Sequence, residues 1–138
     1  QVIQFDPLIM RFADRAWPGA LTIVGELRIT NNELRNKHLA RYVSAGTGTV
    51  GVRVSALPFA RELSEELGRP IVATSANYAD GGECYTLVDV LQQLKPKYLP
   101  DLCIDGGRLR RRKPSTIITV RGGHIVTLRQ GPISIGKL

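Results

Sequence analysis

Three stretches hold residues whose types and spacing could do chemistry. The first is "GTGTVGVRV", residues 46–54. In an extended chain alternate residues share a face about 7 Å apart. Thr49, Gly51 and Arg53 then point one way, and Val50, Val52 and Val54 the other. A hydroxyl and a guanidinium flank a position with no side chain. Guanidinium takes carboxylate or phosphate bidentately, and bare glycine backbone admits a ligand closely. A surface arginine beside a strand glycine that admits a neighbouring backbone fits the pattern equally well. The second stretch is "PIVATSAN", residues 70–77. In open α/β sheets ligands lie beyond the carboxyl ends of strands. Ser75 and Asn77 offer a hydroxyl and an amide there without bulk; the competing reading is a tight turn held by these side chains. The third is the cationic run Arg108, Arg110, Arg111, Arg112 and Lys113. It suits nucleic-acid phosphates or a solvated loop, and without interleaved aromatics it does not support stacked single strands.

Other chemistries fit poorly. Residues 46–51 match G-x-G-x-x-G, but a helix-like stretch precedes and a strand follows, the reverse of a dinucleotide site. No Lys-Ser/Thr follows the glycines, so they form no Walker A loop. Ser75 lacks a G-x-S-x-G elbow, and His38 and His124 are poor candidates for its base. Cys84 and Cys103 stand far apart outside any C-x-x-C, which argues against a disulfide framework or zinc site.

These residues need a frame. "FDPLIMRFADRAWPG" reads as a helix with Asp6 as N-cap, Pro7 first, and Leu8, Ile9, Phe12, Ala13 and Ala16 as its apolar face. A strand over 20–25 follows, then a polar loop over 26–37 and a short helix over 38–46. Residues 49–54 form the next strand. A helix with Pro58 in its first turn carries an apolar stripe of Ala56, Ala60, Leu63 and Leu67 and stops at Gly68. "IVATS" (71–75) reads as a strand. Thr86 and Asp89 form a capping box for a helix reaching about Leu94. A further strand falls within "YLPDLCID" (98–105). "STIITV" and "HIVTLR", joined by "RGG", make a hairpin. Ser115 and Arg129 sit at the ends of these last strands. The pattern is a single domain over 1–138, α/β, with a twisted mixed sheet and packed helices.

With 43% hydrophobic residues the chain can build one core, and 22% charged residues speak against wholesale disorder. No apolar run is long enough to span a membrane, and the start is no signal peptide. A cytoplasmic protein is the simplest expectation. The net charge of +7 suits anionic partners, nucleotide or nucleic acid, and equally a basic, soluble surface.

The segments "WPGALTIV", "GTGTVGVRV", "GRPIVATSAN", "IDGG", "PSTIITV" and "LRQGPIS" follow one order. As a set they resemble the YrdC/Sua5 family, the threonylcarbamoyl-AMP synthases. The resemblance implies a twisted α/β fold around an electropositive cavity. It implies condensation of L-threonine, bicarbonate and ATP, with Mg2+, into threonylcarbamoyl-AMP and pyrophosphate. That product serves the threonylcarbamoyl modification of adenosine 37 in tRNA, alongside the rest of the modification machinery. By the same resemblance Thr49, Ser75, Asn77 and Arg129 contact the nucleotide, while Arg53, Ala73 and Ser115 contact L-threonine. No residue is expected to act covalently, because positioning and cationic clamps can supply the acceleration.

Departures from the family pattern set further expectations. The family's N-terminal threonine-binding strand and Lys-x-Arg element are not found in the first residues, so the chain is expected to begin after them and, as it stands, to have little activity. Ala79 and Asp80 replace the Ser and Gly of "SANxSG", and Glu83 falls where the family places a nucleotide-side Ser. "RVS" at 53–55 replaces the commoner "RVP". One rival is a non-catalytic module of the same fold that binds tRNA or double-stranded RNA through its basic surface. Another is a relative that carbamoylates a different substrate.

Overall fold

The structure, a computed structural model, describes residues 2–4, 6–28, 41–94 and 96–137. The expected polar loop beyond residue 28, the first part of the 38–46 helix and His38 lie outside the described residues. The chain divides into two compact units, Gln1–Val72 with Lys113–Leu138, and Ala73–Arg112.

The first unit holds the sheet. Helix α1 (Pro7–Ala16) starts as its sequence dictates: the Asp6 carboxylate accepts from the Leu8 N–H at 2.8 Å, and Pro7 occupies the first turn. It ends at Trp17, whose backbone is extended and whose N–H still closes on Ala13. Strands β1 (Leu21–Glu26), β2 (Thr49–Val52), β3 (Thr116–Arg121) and β4 (His124–Arg129) form one sheet in the order β2-β1-β3-β4. β1 runs antiparallel to β2 and parallel to β3; β3 and β4 form the expected hairpin. Gly122 and Gly123 both take positive φ (57° and 75°), the left-handed pair that a tight two-residue hairpin turn requires.

Alternation sorts the sheet's faces. Leu21, Ile23 and Ile118 are buried with Ile3, Ile9 and Ala13, and Val50, Val52, Val120 and Ile125 flank them. Each large aliphatic side chain so buried contributes about 1.5–3 kcal/mol, which anchors this face on α1. The other face carries Thr22, Val24, Thr49, Gly51, Arg53 and Ile117. One irregularity matters there. Ile117 pairs with Arg129 and Ile118 with Thr127, so β4 bulges by one residue between them. An unbroken register would set Leu128 opposite Ile117; the bulge turns Arg129 onto the Thr22 face instead.

Helix α2 (Pro58–Glu66) ends near Gly68, at φ +61°. Its expected apolar stripe is not buried: Leu63 and Leu67 are exposed and no residue of the helix is buried. Residues 41–43 are helical.

The second unit contains helix α3 (Leu87–Gln93) and a 3-10 turn at Pro96–Tyr98. The capping box is present, with Thr86 Oγ1 accepting from the Asp89 N–H at 3.1 Å and Asp89 Oδ2 accepting from the Thr86 N–H at 2.9 Å. The strands expected over 71–75 and within 98–105 do not form. Both stretches have strand-like composition, but no described segment offers them a ladder, and a strand needs a partner for its N–H and C=O groups. Residues 69–76 are all exposed.

Candidate functional site

The open face of the sheet is the better-built surface. Arg53 follows β2 directly, and its Nε donates to the Gly19 carbonyl at 2.7 Å. Gly19 is fixed in turn, since its N–H donates to the Val54 carbonyl at 2.9 Å and any side chain on it would strike the Ala16 carbonyl. With Nε occupied, the guanidinium plane is set and its two terminal nitrogens form the end-on fork that matches a carboxylate. Among the described residues nothing else engages that fork, and Arg53 is exposed.

The gap expected over Gly51 is not empty. A Cβ there would stand 3.1 Å from Thr22 Cγ2, so glycine makes room for a neighbouring methyl group and not for a ligand. The correction points to Thr22, which the sequence reading missed. Its Oγ1 shares a hydrogen bond with Ser115 Oγ at 2.8 Å. Arg129 donates to the same Ser115 twice, from Nε to the carbonyl at 3.0 Å and from a terminal nitrogen to Oγ at 3.1 Å. A polar line therefore runs across the sheet from Arg129 through Ser115 to Thr22. Ser115 is its hub, and at 7% exposure it is buried.

Beneath this line Thr116, at 0% exposure, acts as a knot. Its hydroxyl donates to the Ile133 carbonyl at 2.8 Å and accepts from the N–H groups of Gly131 and Ile133, each at 3.1 Å. Gly131 lies so close that a side chain would collide with Pro114 and Thr116 backbone atoms. The "PST" and "RQGPIS" segments are thereby locked together.

Thr49 lies at the other end of β2, opposite Glu26. It shares a hydrogen bond with Thr47 Oγ1 at 3.0 Å, and Thr47 donates to the Ser44 carbonyl at 2.6 Å. Four residues of extended chain put Thr49 about 13 Å from Arg53, too far to hold one small group together. The structure thus links Arg129 and Ser115 to Thr22, holds Arg53 to Gly19 just beyond β2, and leaves Thr49 at the far end of that strand.

The second unit carries a cleft of about 290 Å³ lined by Ser75, Asn77, Glu83, Tyr85, Arg110 and Arg112, among others. Ala73 is exposed and is not part of the lining. The Asn77 amide donates to the Tyr78 carbonyl at 3.2 Å. The next turn is held by one side chain: Gln93 of α3 accepts from the Tyr78 N–H at 3.1 Å and donates to the Gly81 carbonyl at 2.7 Å.

The two acidic departures separate here. Asp80 has φ +64°, a backbone that glycine takes freely and Asp tolerates better than most residues. It is exposed and outside the cleft lining, so the change from Gly is a matter of backbone. Glu83 does line the cleft and accepts a hydrogen bond from the Tyr85 hydroxyl. That bond, then burial and the nearby Glu83 charge raise the Tyr85 pKa, against the opposing pull of Arg111. The Asp89 carboxyl is lowered, first by its bond with Thr86 and then by the Tyr85 N–H. Arg111 stacks on the Tyr85 ring, 5.1 Å from its centroid.

The Sua5/YciO/YrdC family model, described as "Telomere recombination", matches residues 1–131. The chain belongs to this family. Solved structures agree with the assignment. P. abyssi Sua5 complexed with L-threonine is 29% identical, with a TM-score of 0.79 over 99% of this chain and 38% of that one. A double variant of P. abyssi Sua5 gives 29% identity and a TM-score of 0.80 over the same shares, 99% and 38%. E. coli YciO is 26% identical, with a TM-score of 0.74 over 97% of this chain and 61% of that chain. The chain therefore spans well under half the length of that Sua5. The mixed four-stranded sheet with its helices is the fold these structures share. Among the described residues no helix is long and apolar enough to cross a membrane.

Thr22 had one sequence signal, a lone hydroxyl among the apolar residues of "ALTIVG". Arg110, Arg112 and Gln93 had none that set them apart from a solvated loop or a helix surface.

Proposed function

We propose that the protein takes part in L-threonylcarbamoyladenylate synthesis, condensing L-threonine, bicarbonate and ATP for tRNA modification. The observation that carries this reading is Arg53, whose Nε is pinned to Gly19 and whose terminal fork stays open for a carboxylate. Family membership and a Sua5 neighbour that was solved with L-threonine support it.

In this reading Arg53 holds the threonine carboxylate, with Ser115 bracing the threonine side. The amine attacks the carbon of bicarbonate, forming an N–C bond with loss of water, or attacks CO2 already formed by dehydration of bicarbonate, forming the same bond with loss of an amine proton. A carbamate oxygen then attacks the α-phosphorus of ATP, forming a P–O bond as the α–β bridge breaks and pyrophosphate leaves. Thr49 and Arg129 orient the nucleotide. Catalysis is positioning and charge stabilisation, and no nucleophilic side chain is required. Magnesium would enter with the ATP phosphates. Among the described residues no group of three or more His, Cys, Asp or Glu gathers to hold an ion.

The test is formation of the adenylate by the protein supplied with all three substrates. Product that needs each substrate and disappears in Arg53→Ala is expected, at a low rate where the N-terminal threonine-binding strand and Lys-x-Arg element are lacking. Product formed without threonine, or undiminished in R53A, would contradict the reading. A second reading, a non-catalytic RNA-binding module, draws on the exposed run from Arg108 to Lys113. It requires RNA affinity that falls steeply with salt and with loss of these charges.

A further inference from the structure

The cationic run does not act as one patch. Arg111 is committed to the Tyr85 ring. Arg108 lies near enough to Asp89 to lower its carboxyl. Arg110 and Arg112 are different: both line the cleft beside Ser75 and Asn77, and among the described residues neither has an ion-pair or hydrogen-bond partner. The segment that presents them is fixed, because the Leu109 N–H donates to the Tyr85 carbonyl at 2.8 Å and the Gly107 N–H to Asp105 Oδ1 at 2.8 Å.

We propose that Arg110 and Arg112 form the cationic clamp of a diphosphate subsite in this cleft, completed by the Ser75 hydroxyl and the Asn77 amide. Size supports a fragment and not a whole nucleotide. At about 290 Å³ the cleft falls at the lower limit of pockets that enclose a drug-sized ligand. Charge supports an anion: the lining carries two guanidinium groups against one carboxylate, Glu83, which is already engaged by Tyr85. Guanidinium forks suit phosphate oxygens better than isolated ammonium groups do. The ligand is either the terminal phosphates of ATP or free pyrophosphate. The inference rests on the adenylate reading for the source of that group, while the geometry stands by itself.

The experiment is calorimetric titration of the full chain with pyrophosphate, ATP and adenosine at low salt. A parallel titration uses a double-stranded RNA, and both compare wild type with Arg110→Gln/Arg112→Gln, Arg110→Lys/Arg112→Lys and a charge-matched control, Arg69→Gln/Arg121→Gln. Removing one charge-assisted hydrogen bond should weaken binding about tenfold. The Gln pair should therefore lose pyrophosphate and ATP affinity by at least that factor. The Lys pair should keep part of it and the control all of it. Unchanged melting temperatures establish that each variant folds, as expected for exposed side chains. Pyrophosphate binding as tight as ATP assigns the subsite to free diphosphate; tighter ATP binding assigns it to the nucleotide. An equal loss in the control, or a Gln pair that loses double-stranded RNA while keeping pyrophosphate, would overturn the proposal. Adenylate synthesis separates the two claims. Synthesis with pyrophosphate affinity unmoved by the Gln pair sinks the subsite alone. No synthesis, with affinity lost only in the cleft variant, sinks the synthase reading and leaves the subsite standing.

Discussion

The two units hold their ligand-type residues by different means. In the first, Arg53, Ser115 and Arg129 hang from a sheet whose inner face is buried, and each is fixed by a carbonyl or hydroxyl that is itself fixed. In the second, among the described residues, none is buried. The Ser75–Asn77 segment belongs to no ladder, and its neighbouring turn relies on one glutamine. The contrast teaches that a motif can be equally specific as sequence in both places and yet be positioned by many interlocked bonds in one and few in the other. Local stability should differ accordingly.

Thr116→Val should break the comparison most severely if it is wrong. It leaves two N–H groups and a carbonyl without their buried partner, so denaturant unfolding should show a loss of about 3 kcal/mol. Gln93→Ala should cost about 1 kcal/mol or less. Its main sign should be faster hydrogen exchange at the Tyr78 amide, with the β1 and β3 amides unchanged. Equal global losses for the two variants would erase the distinction. Acidification sharpens it within the second unit. The Asp89 carboxyl is lowered in the folded state, so its contribution to the start of α3 is complete above the ordinary carboxylate value. It is lost as pH falls through the lowered one. Protection of the Thr86 amide, taken relative to its intrinsic exchange rate at each pH, should fall over that acid window and show no such fall in Asp89→Asn. The smallest effect is Asp80→Gly. It should relieve the left-handed backbone at the cost of a looser unfolded chain, a net gain of no more than about 0.5 kcal/mol by thermal unfolding.

Periodicity carried much of the first unit. Alternation in "TVGVRV" placed Arg53 on the outer face, the Asp6–Pro7 pair started α1, and the double glycine closed the hairpin. What failed did so because it depends on partners. "IVATS" and "YLPDLCID" have strand composition, but composition does not supply a neighbouring ladder. The stripe of α2 has helical spacing, but spacing does not bring a surface to cover it. Gly51 read as open backbone because the Thr22 methyl that fills the space arrives from another strand. The bulge that turns Arg129 onto the outer face is a register event with no local signature. Asp80 illustrates the converse: an acid where the family places glycine bears on backbone conformation in the fold.

Arg53 as a carboxylate receptor is the central claim, and L-threonine binding tests it most directly. Calorimetry should compare L-threonine with L-threoninamide, which lacks the anionic carboxylate, on wild type, Arg53→Lys and Arg53→Ala. Wild type should bind L-threonine and reject the amide. R53A should weaken binding about 100-fold, and R53K should recover little, because an ammonium cannot reproduce the fork. Equal affinity for acid and amide, or an R53A protein that binds L-threonine as wild type does, would contradict the claim.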